Sequence, residues 1–538
     1  MKKTFLVAIG AFLLGLPAIA QNNLNRPKLV VGIVIDQMRY DFLYRYQDRY
    51  GSGGFNRLLN TGFSAENLHI PYAQTVTAAG HASVYTGSVP ALNGIMGNEW
   101  YDRAKGRMVY CVEDPGVKIL GGNDKSEPMS PRNLWATTIA DELRLATNFR
   151  SKVVGVAIKD RGSILPAGHF GNAYWYDGET GNFVTSDFYM KSLPAWVNGF
   201  NNRKVVDSLY KFGWKTLYPV ETYKQSDIHD ADYQAKSPSA VAHSYDFSGH
   251  IGKNFGAVRS TPHGNTITLE FAKAALRAED MGKDDITDLL AISLSSPDYI
   301  GHQYGPNSVE IEDTYLKLDK ELENFFNMLD AEVGAGQYLV FLTADHGVAH
   351  VPAFLKKNKY EVSATPSSTR SLVEKIKERF GVDSAIEATA NYQIYLNHNQ
   401  ITKAKGDKKA ISDFIISELK ASPEVYTAFS YAEFEAVVLP KEVKEKFAKG
   451  YNPKLGGDIQ IILKPGYFYG GRTGTTHGAW YPYDAHIPAV FMGWGVKPGR
   501  TNRASTMADF APTLAALLRI QMPNASIGTP ISEITDAR

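Results

Sequence analysis

One cysteine, Cys111, stands in 538 residues, so no internal disulfide can form even where an oxidising compartment permits one. Packing and bound metal must hold the chain instead. Net charge is scarce as well. The 57 Lys and Arg against 56 Asp and Glu are interspersed, without a basic block, which gives no sign of a nucleic-acid-binding surface. A small molecule or an exposed ester is the default partner. Internal repeats and low-complexity tracts are missing. The apolar run from Phe5 to Leu16 is shorter than the roughly 20 residues a spanning helix needs. It follows Lys2 and Lys3 and leads to Pro17 and Ala18-Ile19-Ala20-Gln21, the pattern of a secretory signal peptide (residues 1–20) cleaved after Ala20. No cysteine follows that site, which argues against lipid anchoring. The mature chain is expected to be soluble, without a membrane anchor, and periplasmic or secreted.

What is present is an alternation. Leu29 to Ile35 before Asp36, Val153 to Ile158 before Lys159, Leu289 to Leu294 before Asp298 and Tyr338 to Leu342 before Asp345 are apolar runs that end at polar residues. Such runs suit strands buried on both faces, as in a parallel sheet. Between them Ile311, Tyr315, Leu318, Leu322, Phe325 and Leu329 make one helical stripe. The fold class is therefore α/β, with a doubly wound, mostly parallel central sheet and helices on both faces. Residues 21–538 read as one domain with insertions at about 176–262 and 351–469. The second insertion carries helices at Leu372 to Phe380 and Ala410 to Leu419 and a strand-like run at Ile459 to Leu463. Both should shape the pocket from the ligand side. The core resumes at Thr473 and runs to a C-terminal helix after Pro512.

In such sheets ligands collect beyond the carboxyl ends of the strands, where these polar residues lie. Asp36 alone reads as a turn or cap residue. Asp298 and His302 are four apart, so one helical turn brings them together as a local hydrogen bond or as ligands suited to zinc. Asp345 and His346, adjacent beyond a buried strand, favour metal over a capped turn. His477 sits in a Gly-flanked turn with no apolar periodicity to bury it. Three carboxylates and three imidazoles suit divalent transition metals, and divided between two ions about 3.5–4 Å apart they make a two-metal site for in-line displacement. Thr77 precedes three small residues that open a helix, so it is either an N-cap or a metal-activated nucleophile, with Thr75 and Ser83 as rival hydroxyls. If the backbone stays extended, Lys159 and Arg161 point the same way, as a solvated pair or as a clamp on a dianionic phosphoryl group. Asn98 is a further candidate phosphate contact.

Taken in order, Val-Ile-Asp36, Thr77-Ala-Ala-Gly-His, Asp298-Tyr-Ile-Gly-His302, Thr-Ala-Asp345-His346-Gly and Thr-His477-Gly resemble the metal-site motifs of the alkaline phosphatase superfamily. Within it the chain is similar to the monomeric, periplasmic PafA-type enzymes with a threonine nucleophile, a resemblance that includes Asn98 and the Lys159-Asp-Arg161-Gly-Ser-Ile-Leu-Pro-Ala-Gly-His segment. The resemblance implies two Zn2+ per chain, one on Asp36, Thr77, Asp345 and His346 and the other on Asp298, His302 and His477. It implies phosphoryl contacts from Asn98, Lys159 and Arg161, a monomer, and phosphate monoesters as small-molecule substrates. The implied reaction is hydrolysis through a phosphothreonine at Thr77, releasing inorganic phosphate. A phosphodiesterase of the nucleotide pyrophosphatase type is the nearest rival, disfavoured because a diester needs an apolar slot where Lys159 and Arg161 stand. A sulfatase lacks its Cys/Ser-x-Pro-x-Arg motif here, a phosphoglycerate mutase belongs in the cytoplasm, and an inactive metal-binding protein is the rival from outside catalysis.

Overall fold

A computed structural model describes residues 25–227, 240–241, 243–360, 362, 364–365, 370–470 and 473–536. The leader expected at residues 1–20 lies outside them. Strand Leu29–Ile35 is buried along its whole length, as its seven apolar or glycine residues demand of a strand covered on both faces. It pairs in parallel with Asp288–Leu294 on one side and Tyr338–Thr343 on the other. Val153–Ala157 and then Asn172–Asp177 extend the parallel set beyond Asp288–Leu294. Antiparallel pairings follow on each flank, and Gly499–Thr501 closes one edge in parallel with Phe63–Ala65, giving ten strands among the described residues.

Helices cover both faces. Val309–Leu329 is capped by the Ser308 side chain, which accepts from the Ile311 N–H, and it buries Ile311, Tyr315, Leu318, Leu322, Phe325 and Leu329. The helix expected after Pro512 is Phe510–Leu518 and starts before that proline, because Pro512 falls in its first turn, where no N–H is needed.

The two interruptions differ. Asn172–Asp177 and Asn182–Ser186 are strands of the central sheet, so the sheet runs past the boundary expected near residue 176. Further along that segment Val197, Phe200, Tyr210 and Trp214 pack into the main core. Residues 370–463 instead build a four-stranded antiparallel sheet, with Ile386–Ala390 and Gln393–Leu396 as a hairpin. Helices Arg370–Phe380 and Lys408–Lys420 close a separate apolar cluster on it, around Ile376, Ile394, Ile411 and Ile461. Among the described residues no helix is long and apolar enough to cross a membrane.

Candidate active site

Because the central strands are parallel and in register, with Ile35 opposite Leu294 and Val34 opposite Thr343, the residues that follow them meet at one edge. Asp36 is fully buried there. Its Oδ2 lies 2.7 Å from Lys159 Nζ, and its Oδ1, 3.5 Å from His346 Nε2, has no hydrogen-bond donor. Asp298 and His302 lie on helix Ser296–Tyr304, one turn apart as expected, with His302 Nε2 3.1 Å from Asp298 Oδ1. His477 Nε2 stands 3.4 Å from the same oxygen, and its ring stacks on His346 at 3.6 Å.

Each of the three imidazoles turns Nδ1 to a backbone carbonyl. His302 meets Thr475 O at 2.8 Å, His346 meets Gly347 O at 2.9 Å and His477 meets Thr75 O at 2.7 Å. A carbonyl only accepts, so Nδ1 carries the proton and the Nε2 lone pairs face the carboxylates. Burial keeps His477 below the ordinary imidazole range and takes His346 down to about 3. Burial also opposes charge on His302, but Asp298 outweighs it and raises that ring. Acceptor thus faces acceptor at short range around a buried, donorless Asp36 oxygen, an arrangement that a divalent cation satisfies.

Two groups of ligand atoms converge within 4.8 Å: Asp298, His302 and His477, and Asp36, Asp298 and His346. Asp298 therefore lies at the junction of both groups. Asp345 turns Oδ1 to the backbone amides of Gln37 (3.1 Å) and His346 (3.0 Å). Burial and the nearby Asp345 hold Asp36 well above the usual carboxylate range. Burial acts the same way on Asp298, but His302 and Lys159 overcome it and hold that carboxyl low.

Thr77 is the first residue of helix Thr77–Thr86, after an extended Val76, and so is a helical residue rather than its N-cap. Its Oγ1 is 3.4 Å from His346 Nε2 and accepts from Lys159 Nζ at 3.2 Å. The rival hydroxyls point elsewhere. Thr75 donates to Ala479 O at 2.7 Å, and Ser83 is buried within the helix. The helix can run this close to the sheet because Gly80 has no side chain: an added Cβ would lie 2.3 Å from Asp345 O.

Lys159 and Arg161 do not share an extended backbone. Lys159 is the N-cap of helix Asp160–Ala167, so Arg161 is already helical, yet both side chains line one cavity beside Tyr110 and Tyr299. Lys159 Nζ reaches Asp298 Oδ2 at 2.6 Å as well as Asp36. Arg161 donates to Tyr110 OH at 2.8 Å, and that hydroxyl donates to Asp160 at 2.6 Å. Asn98 Oδ1 accepts the Ala78 N–H at 3.0 Å, which leaves its NH2 for another partner.

Three polar residues at this edge carried no sequence signal of their own. Gln37, in a left-handed conformation at φ 66°, donates Nε2 to Asp298 Oδ1 at 2.6 Å. His81 bridges Thr77 O (2.9 Å) and Ser293 Oγ (2.8 Å). Asp484 accepts from the Ala479 N–H at 2.9 Å and lies 3.3 Å from the Thr75 hydroxyl. His81 belongs to the Thr77-Ala-Ala-Gly-His motif, and Gln37 directly follows Asp36 in Val-Ile-Asp-Gln-Met.

Residues 30–484 match the family described as type I phosphodiesterase / nucleotide pyrophosphatase, and the chain belongs to that family. More particularly, it is an enzyme of the alkaline phosphatase superfamily, an alkaline phosphatase similar to PhoV and PafA. Alkaline phosphatase PhoV of Synechococcus elongatus is 50% identical over 96% of this chain and 94% of the relative. A Myroides odoratus protein named as a calcium-transporting ATPase is 48% identical over 99% of both. Alkaline phosphatase PafA of Elizabethkingia meningoseptica is 47% identical over 95% of both. A crystal structure of wild-type PafA superposes with a TM-score of 0.92 at 47% identity, over 95% of this chain and 99% of that one.

Proposed function

We propose that the protein hydrolyses phosphate monoesters with two zinc ions, through a covalent phosphothreonine on Thr77, and releases inorganic phosphate. The observation that carries the monoester reading is the buried Lys159 ammonium, 3.2 Å from the Thr77 hydroxyl. A cation at the attacking atom matches a dianionic phosphoryl group, whereas a diester brings one charge and a second ester arm. The 47–50% identity to alkaline phosphatases supports the same reading.

Divalent metal held by the two ligand groups would lower the pKa of the Thr77 hydroxyl and stabilise the departing oxygen. The chain's own residues do the rest. Thr77 Oγ1 forms a bond to phosphorus as the P–O ester bond breaks and its electron pair leaves with the alcohol oxygen. Lys159, the NH2 of Asn98 and the Arg161 guanidinium, which Tyr110 holds in place, bind the phosphoryl oxygens. Water then attacks the phosphothreonine, and phosphate leaves with Thr77 restored. The chain is further proposed to be exported and monomeric.

The test compares a chromogenic monoester with the matching diester, on enzyme stripped by chelator and then returned to zinc. Monoester turnover should exceed diester turnover, vanish on chelation and return with zinc. Faster diester turnover would remove the assigned roles of Lys159 and Arg161 and favour the phosphodiesterase reading.

A further inference from the structure

We propose that the cleft above His477, walled by the hairpin tip Asn391–Tyr392, binds the alcohol half of the ester and favours uncharged, ring-bearing leaving groups. The inference rests on the monoesterase reading and adds a subsite to it.

In-line displacement sends the leaving oxygen away from the nucleophile. Thr77 Oγ1 lies 3.4 Å from His346 Nε2, in the ligand group of Asp36, Asp298 and His346, so the alcohol leaves towards the other group, where His302 and His477 stand. His477 is also part of the wall of a cleft of about 840 Å3 between the loops at residues 74–76 and 476–478 and the inserted segment. That volume suits a whole small molecule. The phosphoryl contacts Asn98, Lys159 and Arg161 are not part of its wall.

The far wall is built under strain. Ala390 and Gln393 pair across a two-residue turn, and both turn residues are left-handed, Asn391 at φ 52° and Tyr392 at φ 57°. Asn tolerates that conformation and Gly is the usual second residue, but a tyrosine there costs backbone energy. The retained side chain has a place to go. The Tyr392 ring packs over the backbone at Gly478, directly after His477, and lies 5.5 Å from the ring of Tyr469. Asn391 donates to Glu99 O at 2.9 Å and lies so close to Gly97 that a Cβ there would stand 2.6 Å from its amide. The hairpin tip is thus fixed on one side next to Asn98 and on the other next to His477.

The remaining walls set the chemistry. Tyr392 and Tyr469 offer aromatic surface to a ring. Lys375, the one lysine or arginine among the described residues of the wall, is already paired with Glu418, while Glu99 and Glu424 add negative charge. An anionic leaving group meets repulsion here and a neutral ring does not.

The test uses metal-loaded wild type and Tyr392→Gly, a substitution that suits φ 57° and so removes the ring without new strain. Values of kcat/KM are measured for phenyl phosphate, glucose 1-phosphate and methyl phosphate, together with inhibition by inorganic phosphate. The phenyl-to-methyl ratio, the glucosyl-to-methyl ratio or both should fall about tenfold, with phosphate inhibition held within about twofold. Which ratio falls distinguishes aryl from sugar esters. Unchanged ratios, or a uniform fall on all three esters with weaker phosphate inhibition, would overturn the subsite and leave Tyr392 as a prop for His477. A wild type inert towards all three esters would overturn the monoesterase reading itself, and the subsite with it.

Discussion

The carboxyl edge of the parallel sheet and the hairpin tip of the inserted segment hold one site from opposite sides by different means. At the sheet edge, polar groups are buried and bonded to one another. Asp298 alone meets Gln37, Lys159, His302 and His477. Such a network fixes geometry because leaving any member unpaired in the interior costs free energy. The inserted segment has its own apolar cluster and reaches the site through two turn residues and a backbone-directed hydrogen bond from Asn391. The edge should therefore govern rate on every ester, and the tip should govern the choice among esters.

The comparison is tested most severely at Thr77. Thr77→Ala should lower kcat by at least about a thousandfold on all esters and abolish the acid-stable phosphoenzyme, with Thr77→Ser restoring both in large part. A phosphoenzyme formed at normal yield by the Ala variant would move the nucleophile to another hydroxyl. Lys159→Ala should cost about a hundredfold on a monoester and clearly less on a diester, as the cation matches the second phosphoryl charge. Equal losses on both would make Lys159 a structural partner of Asp36 and Asp298. Gly80→Ala acts through packing. Its Cβ would need to displace Asp345 O, 2.3 Å away, so stability should fall by about 3 kcal/mol in denaturant unfolding. Activity should then fall on all esters alike, and a wild-type midpoint would show that the helix can shift off the sheet freely.

The same contrast separates what was legible in the sequence from what was not. Strand Leu29–Ile35 and helix Val309–Leu329 were legible because burial imposes an apolar run or stripe, and the polar residue after each run marks the ligand edge. The convergence of Asp36, Asp298, His302 and His346 follows from parallel strands in register, whereas His477 is brought in on a loop from far along the chain. The direction of Arg161 was not legible. The expected extended backbone is replaced by a helix that starts at Asp160, and no local pattern separates a strand end from a helix start in Lys-Asp-Arg. Gln37 and Asp484 were illegible for another reason: each acts through a neighbour brought from far along the chain. The hairpin tip reads in sequence as Ala-Asn-Tyr-Gln, which only tertiary packing turns into a left-handed pair beside His477.

Asp484 carries the smallest of the expected effects and lies where the two sides meet. Its Oδ2 accepts from Ala479 N at 2.9 Å and lies 3.3 Å from Thr75 Oγ1, whose proton goes to Ala479 O, and the Thr75 carbonyl takes the Nδ1 proton of His477. Oδ1 is buried without a partner, and burial pushes the carboxyl up to about 8 from its ordinary 3.8. Between those values the folded chain keeps a proton that the unfolded chain has lost, so this group lowers stability as pH rises from about 4 to about 8 and adds no further slope above. Asp484→Asn keeps the shape and removes the titration. Thermal unfolding at pH 5 and pH 8 should show the variant gaining on wild type as pH rises, with monoester kcat changed severalfold at most. A constant gap between the two midpoints would mean that Asp484 ionises as an ordinary carboxyl, and that the loop carrying His477 is held by its backbone alone.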